Sequence, residues 1–592
     1  MTSSRLRFLS LLIASAVYLH AAISAQFTID LTKNVRTISP LIYGSNSEEL
    51  TQADGITFRR SGGNRLTGYN WENNASNAGT DWFNTSDSFL GGGNVPGKAI
   101  TDFHDKSLAS GAMSIITLPA AGYVAKDKKG VVDSEATAPS SRWAKLVYEK
   151  GSAFSLTPDT TDDEVYTDEF VHFMVKKYGG ATNEKGIHFY LVDNEPALWS
   201  LTHPRIHPKP VTCVELIERT VATAKATKKI DPAAQVFGGV FYGYYAYATL
   251  QDAPDWKTVS AGKGYTWFID YFLAELKKAS DQAGSRLVDV LDVHWYSEAN
   301  GDHRINDVAA VTVKDKIARM QAPRSLWDSS YVETSWISLS ATPKGNAAGP
   351  INLLPHLFSS IQSQYPGTKL SITEHNYGGG EDVTGGIAEA DYLGILGRDG
   401  VFASNYWPLT GKFRYVAAAF RLFRNYDGKN SRFADAATYA MTSDRENTSV
   451  YASFVPGGNE IHLIALNKNL TESVNGSFAI TSPVGLSTGT VFGFDGSGAA
   501  LTEKSAIASF SGNTFSYLLP PLSASHFVIK TTSVLPMTAV HAPKLAPEKR
   551  LNGNQHLHGR QQKLREYQLD GRTFSINSKL KTARKSIRLQ KP

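Results

Sequence analysis

Two glutamates stand where short apolar runs break into polar residues. In Tyr190-Leu191-Val192-Asp193-Asn194-Glu195-Pro196 the run gives way to Asp-Asn-Glu and proline stops it. In Leu370-Ser371-Ile372-Thr373-Glu374-His375-Asn376-Tyr377 a second run ends at a glutamate, and three glycines follow. Two opposed carboxyls are what glycoside hydrolysis needs: one stays protonated to serve the leaving oxygen, and the other is ionised. Each glutamate alone has a plainer reading. Glu195 fits a helix N-terminus behind Asn and Asp, and Glu374 fits a surface group ahead of a flexible loop. The pair carries more. The two lie 179 residues apart, room for about three βα units, which puts Glu195 after a fourth strand and Glu374 on a seventh, across the mouth of a barrel.

The neighbouring residues fit the same chemistry. Asn194 can hydrogen-bond a sugar hydroxyl. Asp292-Val293-His294-Trp295-Tyr296-Ser297 ends a sixth strand, where Tyr296 can donate to Glu374 and hold it ionised while His294 and Trp295 line the cleft. Trp407, in Asn405-Tyr406-Trp407-Pro408, and Trp71 offer flat rings for sugar stacking, and Tyr377 follows the second glutamate. Arg60, in Phe58-Arg59-Arg60-Ser61-Gly62-Gly63, can orient a carboxylate. Buried aromatic packing is the plain alternative for each ring, and loop structure the alternative for the arginine. The histidines at 203 and 207 with Arg205 lack a metal-ligand context and read as loop structure or cleft lining.

The elements that must position these groups alternate. Strand-like runs at 56–59, 114–118, 187–192, 235–238, 288–294, 369–373 and 401–406 are separated by helix-like stretches such as 167–178 and 266–278, and 41–44 supplies a weaker first strand. Alternating βα units predict a parallel sheet, and eight of them a (β/α)8 (TIM) barrel over residues 41–430. From 431 to 532 short runs separated by Gly, Asn and Ser predict an appended antiparallel β-sandwich, joined by an N-terminal strand within 26–40. Residues 1–25 read as a secretory signal: Arg5 and Arg7 precede a short apolar stretch, with cleavage expected after Ser24 or Ala25. The apolar stretch is too short for a membrane anchor.

The chain has 592 residues and one cysteine, Cys213, so no internal disulfide can form, and the thiol reads as packed. The net charge of +5 hides an uneven spread. Residues 541–592 hold 13 basic and 3 acidic side chains, a surplus of +10, so the remainder carries −5. Residues 533–592 therefore read as a linker and a short basic C-terminal module, with two short strands expected around Asp570-Gly571. There is no Gly-x-Ser-x-Gly elbow, phosphate-binding loop or His-Glu-x-x-His pair.

Phe58 to Trp82 (FRRSGGNRLTGYNWENNASNAGTDW), Val192-Asp193-Asn194-Glu195-Pro196, Asp292 to Ala299 and Thr373 to Gly380 together resemble glycoside hydrolase family 44, over roughly residues 27–530. The resemblance implies a barrel with a β-sandwich and an endo-β-1,4-glucanase, often one that takes xyloglucan, acting with retention. It implies Glu195 as acid/base and Glu374 as nucleophile, no required cofactor and a structural calcium without an identified ligand set. Where many members carry Tyr after the nucleophile this chain has His375, a change expected to alter cleft shape.

The expectation is a bacterial exported monomer, secreted or at the cell surface, that meets a β-glucan and no nucleic acid and has no transmembrane segment. Its basic tail is a candidate contact for cell surface or secretion machinery, with a disordered basic extension as the alternative. Xylan or mannan hydrolysis on the same fold is the nearest rival. A non-catalytic polysaccharide-binding protein is the rival from another class, and a nucleic-acid binder through the tail is a weaker one.

Overall fold

The computed structural model describes residues 23–340 and 349–536, together with the strands Tyr567–Leu569 and Arg572–Phe574. Eight parallel strands close into a barrel in chain order. They are β1 (Gly44–Ser45), β2 (Phe58–Ser61), β3 (Met113–Leu118), β4 (Phe189–Val192), β5 (Gln235–Phe241), β6 (Val290–Tyr296), β7 (Lys369–Asn376) and β8 (Ala403–Tyr406). The weak first strand is real but short. A 3-10 turn, Pro40–Ile42, takes up the first half of the run that the sequence offered for it, because proline at its start favours a turn over a ladder.

Strand sequences are apolar on both faces because helices cover the outside and side chains fill the inside. At the base, Phe58 meets Phe189 edge-on at 5.6 Å, and Phe189 meets Phe237 at 5.7 Å. These rings, with Ile115, Leu191, Val240 and Val290, plug the barrel. The polar strand ends are thereby left at the opposite, C-terminal mouth. Outer helices include Thr167–Tyr178, Cys213–Ile230 and Phe268–Ala283. Cys213 is fully buried at the start of its helix.

The second unit is a 10-stranded sheet that folds over on itself, so that Phe478 and Phe515 from one end pack on Phe527 from the other at 5.2 and 5.8 Å. The N-terminal strand Ile23–Asp30 lies within it. One side pairs antiparallel with Ala436–Thr442, and the other pairs parallel with Val474–Thr481. The sheet is thus not purely antiparallel. A strand arriving from the far end of the chain is not bound to a neighbour by a hairpin, so its direction is free. A cut after Ser24 or Ala25 would remove the first residues of this strand, including the Ile23–Val474 pair. Residues 1–22 lie outside the described residues, as does most of the basic module. Of the module, Tyr567–Leu569 pairs antiparallel with Arg572–Phe574.

The helix Val383–Asp399, which follows β7, is sandwiched between barrel and sheet. Its Asp391 meets Lys468 at 2.6 Å and accepts from the Tyr451 hydroxyl at 2.6 Å, all within buried surroundings. Such a pair is tolerable only when its lone pairs are satisfied, and here they are. The sheet unit therefore braces the helix directly behind Glu374. Among the described residues no helix is long and apolar enough to cross a membrane.

Candidate active site

Glu374 is on β7, and Glu195 follows β4 by three residues. Glu195 is the residue ahead of a 3-10 turn, Pro196–Leu198, but its side chain makes no capping bond, which frees the carboxyl for other work. Its backbone is left-handed, with φ 44° and ψ 56°. Asp193 is left-handed too, at φ 59°. Strain of this kind persists only where surrounding structure enforces it. The Asp193 carboxylate supplies that enforcement. Its Oδ1 accepts from Thr67 Oγ1 at 2.6 Å and from the Asn194 N–H at 2.7 Å, and its Oδ2 accepts from the N–H groups of Ala120 and Ala121.

His294 on β6 lies between the two glutamates. Its Nδ1 is 2.8 Å from Glu195 Oε1 and 3.5 Å from Glu374 Oε2. One oxygen of each carboxyl and this nitrogen all lie within 4.8 Å of one another. Tyr296, two residues on and on the same face of β6, donates its hydroxyl to Glu374 Oε2 at 2.7 Å. Arg60 on β2 donates through Nη1 to Glu374 Oε1 at 2.7 Å and through Nη2 to Asn194 Oδ1 at 2.7 Å. Gly62 is required here, since a Cβ at that position would sit 2.3 Å from the guanidinium carbon.

The electrostatics separate the two acids. Burial pushes Glu195 up to about 7, and the positive charge of Arg60 offsets only part of that. Burial likewise pushes His294 down to about 3, so the imidazole between the acids is neutral at ordinary pH. Tyr296 is held well above its usual value by burial and by the adjacent Glu374 charge, so it remains a donor. Glu374 receives the Arg60 and Tyr296 donors, a setting that suits an acceptor-only carboxylate.

Several residues expected to touch a ligand do something else. Arg60 and His294, 1% and 0% exposed, bond the Glu374 and Glu195 carboxyls and hold them in place, and Asn194, 2% exposed like Glu374 itself, links Arg60 to Asn64. Trp71 is core: it stacks on Phe170 at 5.4 Å, a ring of the Thr167–Tyr178 helix. Trp295, on the outward face of β6, and Tyr377, the residue after β7, are also buried. Among the expected aromatics Trp407 and Tyr296 are half-buried, and the Trp407 indole N–H is unpartnered. Gly63 leaves room for its ring, since a Cβ there would lie 2.7 Å from it. His375 does not shape the cleft. It points outward, 3.0 Å from Glu389 on the Val383–Asp399 helix and 4.0 Å from the Tyr392 ring. His203 and His207 serve the loop, on the Asn64 carbonyl and on Glu215.

Sequence reasoning missed Asn46 and Asn64. Asn46 accepts from Arg60 at 3.2 Å and donates to the Thr373 carbonyl at 3.0 Å, and Asn64 accepts from Asn194 at 3.1 Å. Their one signal was position, directly after β1 and β2. Asp292 was also missed as a brace. It takes hydroxyls from Ser371 and Thr373 and the Thr373 N–H, fixing β7 just before Glu374.

Residues 75–299 match the profile described as Glycoside hydrolase family 44. Endoglucanase A of Paenibacillus lautus is 49% identical over 529 residues, covering 88% of this chain and 74% of that protein. Beta-mannanase/endoglucanase A of Caldicellulosiruptor saccharolyticus is 42% identical over 531 residues, covering 85% of this chain and 39% of that protein. A Paenibacillus polymyxa xyloglucanase from this family, also solved with xyloglucan, is similar with a TM-score of 0.82 and 47% identity over 86% of this chain and 100% of that one.

Carbon-detected titration of glutamate-labelled protein should show one carboxyl with a midpoint about 7 that disappears in Glu195→Gln. If the signal lost in that variant titrates below pH 5.5, the separation of the two acids is wrong.

Proposed function

The chain belongs to glycoside hydrolase family 44, and from that premise we propose that it is a retaining endo-β-1,4-glucanase that also accepts xyloglucan. The observation that carries the mechanism is the approach of the two carboxyls within 4.8 Å, oxygen to oxygen. Retaining enzymes hold their carboxyls about 5–5.5 Å apart, and inverting ones leave about 6.5–9.5 Å for a water. Glu374 attacks the anomeric carbon while Glu195 gives its proton to the leaving glycosidic oxygen. A covalent glycosyl–Glu374 ester results. Glu195, now ionised, takes a proton from water, the water oxygen attacks the same carbon, and Glu374 leaves with configuration retained. Neutral His294 packs against both acids without adding charge. Arg60 and Tyr296, each on a different oxygen, hold the Glu374 carboxylate in line. Trp407 is the stacking surface for a sugar ring.

Reducing-end release should be strong on xyloglucan, mixed-linkage β-glucan and carboxymethyl-cellulose, and lower on xylan. Mannan belongs in the panel because one relative carries mannanase in its name. Glu374→Gln and Glu195→Gln should each lose about 10²–10⁴-fold or more. The rate on polysaccharide should fall as pH rises through about 7, where Glu195 loses the proton it must donate. New reducing ends should appear first as the β-anomer. Binding without hydrolysis in wild type would leave a polysaccharide-binding protein instead.

We also propose a structural calcium, which membership of the family implies. Among the described residues the acids and histidines close enough together to share an ion are Glu195, His294 and Glu374 of the site itself, so a separate structural ion would need backbone carbonyls among its oxygen ligands and would take no part in the chemistry. Calcium should raise the melting temperature, and a chelator should reverse the rise. No shift in either would remove the proposal.

Residues 1–25 support export, and the basic module supports attachment to an acidic surface. N-terminal mass analysis of protein from the medium should find cleavage near Ser24. Truncation after Pro536 should release surface-bound enzyme without loss of turnover. An intact Met1 or unchanged retention would count against these two assignments respectively.

A further inference from the structure

We infer that Gly239 and Val240 on β5 are positioning residues for Glu195, acting through the Val240 carbonyl; this rests on the acid/base role proposed above. The ladder between β4 and β5 pairs Phe189 with Gln235, Tyr190 with Val236 and Leu191 with Phe237, and then ends. Beyond it, Asp193 turns left-handed and the chain leaves strand geometry. Glu195 is nonetheless tied back to β5 by one backbone bond, from its N–H to the Val240 carbonyl at 3.1 Å.

That carbonyl is available because β5 is irregular at the same level. Against β6, Gly239 pairs with Asp292 and Phe241 with Val293, so Val240 is an extra residue. Gly239 has φ 102° and Val240 φ 49°. A β-branched residue in the left-handed region is a genuine outlier. Val240 is fully buried among Phe237, Val290 and Leu191 in the barrel plug, which fixes its side chain and hence the direction of its carbonyl. Bulges of this sort re-aim groups beside active sites. Here the bulge aims an acceptor at the one N–H whose residue carries the acid.

Gly239 makes the bulge feasible. A Cβ there would lie 2.9 Å from the Asp292 carbonyl oxygen and 2.9 Å from the Phe241 ring, closer than real Cβ atoms come. Gly239→Ala must therefore deform the bulge while leaving every group that faces Glu195 chemically intact. Those groups are His294 and Tyr296 from β6, Glu374 from β7, Arg60 from β2 and Tyr247 from the helix Tyr244–Thr249. Once the N–H tether slackens, the carboxyl drifts toward the open mouth and water. Its raised proton affinity, which comes from burial, then relaxes toward the ordinary carboxylate value.

The test is the pH profile of Gly239→Ala on xyloglucan or mixed-linkage glucan, beside a cello-oligosaccharide glycoside of an acidic phenol whose departure needs no proton. The polysaccharide rate should fall by about 10²-fold, as a misplacement of roughly 1 Å predicts. Its alkaline limb should move to lower pH by one unit or more, while burst-phase release of the phenol stays within threefold of wild type. Val240→Gly, which takes the left-handed conformation freely and lets the bulge relax, should shift the limb the same way by less. It keeps the proposal testable if Gly239→Ala does not fold. Val240→Ile, which keeps the β-branch, should keep the wild-type limb. Unchanged limbs in the folded variants, or equal losses on both substrates, overturn the positioning role. Wild-type hydrolysis and its loss in Glu195→Gln are read in the same assay, so a failure of the activity shows in wild type and a failure of this inference only in the β5 variants.

Discussion

The guanidinium of Arg60 is buried beneath the mouth of the barrel with almost no access to water, and the rest of the site is arranged around that fact. A buried cation must be paired and hydrogen-bonded, or it costs several kcal/mol. Glu374, Asn194 and Asn46 supply the acceptors. The arrangement breaks the symmetry of two otherwise similar glutamates. Glu374 takes the ion pair and the tyrosine hydroxyl. Glu195 takes only a neutral imidazole and a dry environment, and so it is the acid that keeps its proton. Because Arg60 also grips Asn194, the residue before Glu195 and the Glu374 carboxylate are registered against one rigid group.

Holding that geometry takes a second layer of buried polar side chains. Asp193 ties the β4 end to the turn at Ala120 and Ala121, and Asp292 ties β6 to β7 one residue short of Glu374. Burial pushes the Asp292 carboxyl up to about 7 against the pull of the Ser371 and Thr373 hydroxyls, so this brace is costly to keep dry. The sheet unit adds the outermost support through Asp391 and Lys468, on the helix that begins soon after β7 ends. A cleft enzyme must keep its mouth open to a polymer, so stiffness has to come from below and behind.

What was legible in the sequence followed from periodicity. Eight runs of suitable length and spacing foretold the barrel, and the positions of Glu195 just past the fourth and Glu374 on the seventh put the pair across the mouth. Alternation along a strand makes His294 and Tyr296 share a face, as do Glu374 and Asn376, and it turns Trp295, His375 and Tyr377 to the other side. The buried places of Trp295 and Tyr377 were thus readable, and the pull of aromatic residues toward a sugar-stacking role hid them. Trp71 was not readable in this way, because it lies in an irregular segment without a period. The same holds for Asn46 and Asn64, since an amide in a loop gives no hint of the distant side chain it will meet. The sheet topology was opaque for another reason. Nothing local in Ile23–Asp30 tells it to run parallel to a strand some 450 residues away.

His375 shows how far a single departure from a family pattern can be weighed by geometry. A residue next to Glu374 invites the thought that it touches substrate. Its neighbour's side chain occupies the inward face, so its own must face the helix layer, and there it finds Glu389 at 3.0 Å, Ser404 at 3.2 Å and the Tyr392 ring. Every polar atom of the imidazole is engaged, and the ring is fully enclosed. An aromatic ring of another kind at this position would meet the same wall of the same helix and would need a different partner from Glu389. The variation is therefore one of packing between β7 and the helix behind it, and the shape of the cleft is set elsewhere, by Trp407 and the loops that carry Gly62 and Gly63.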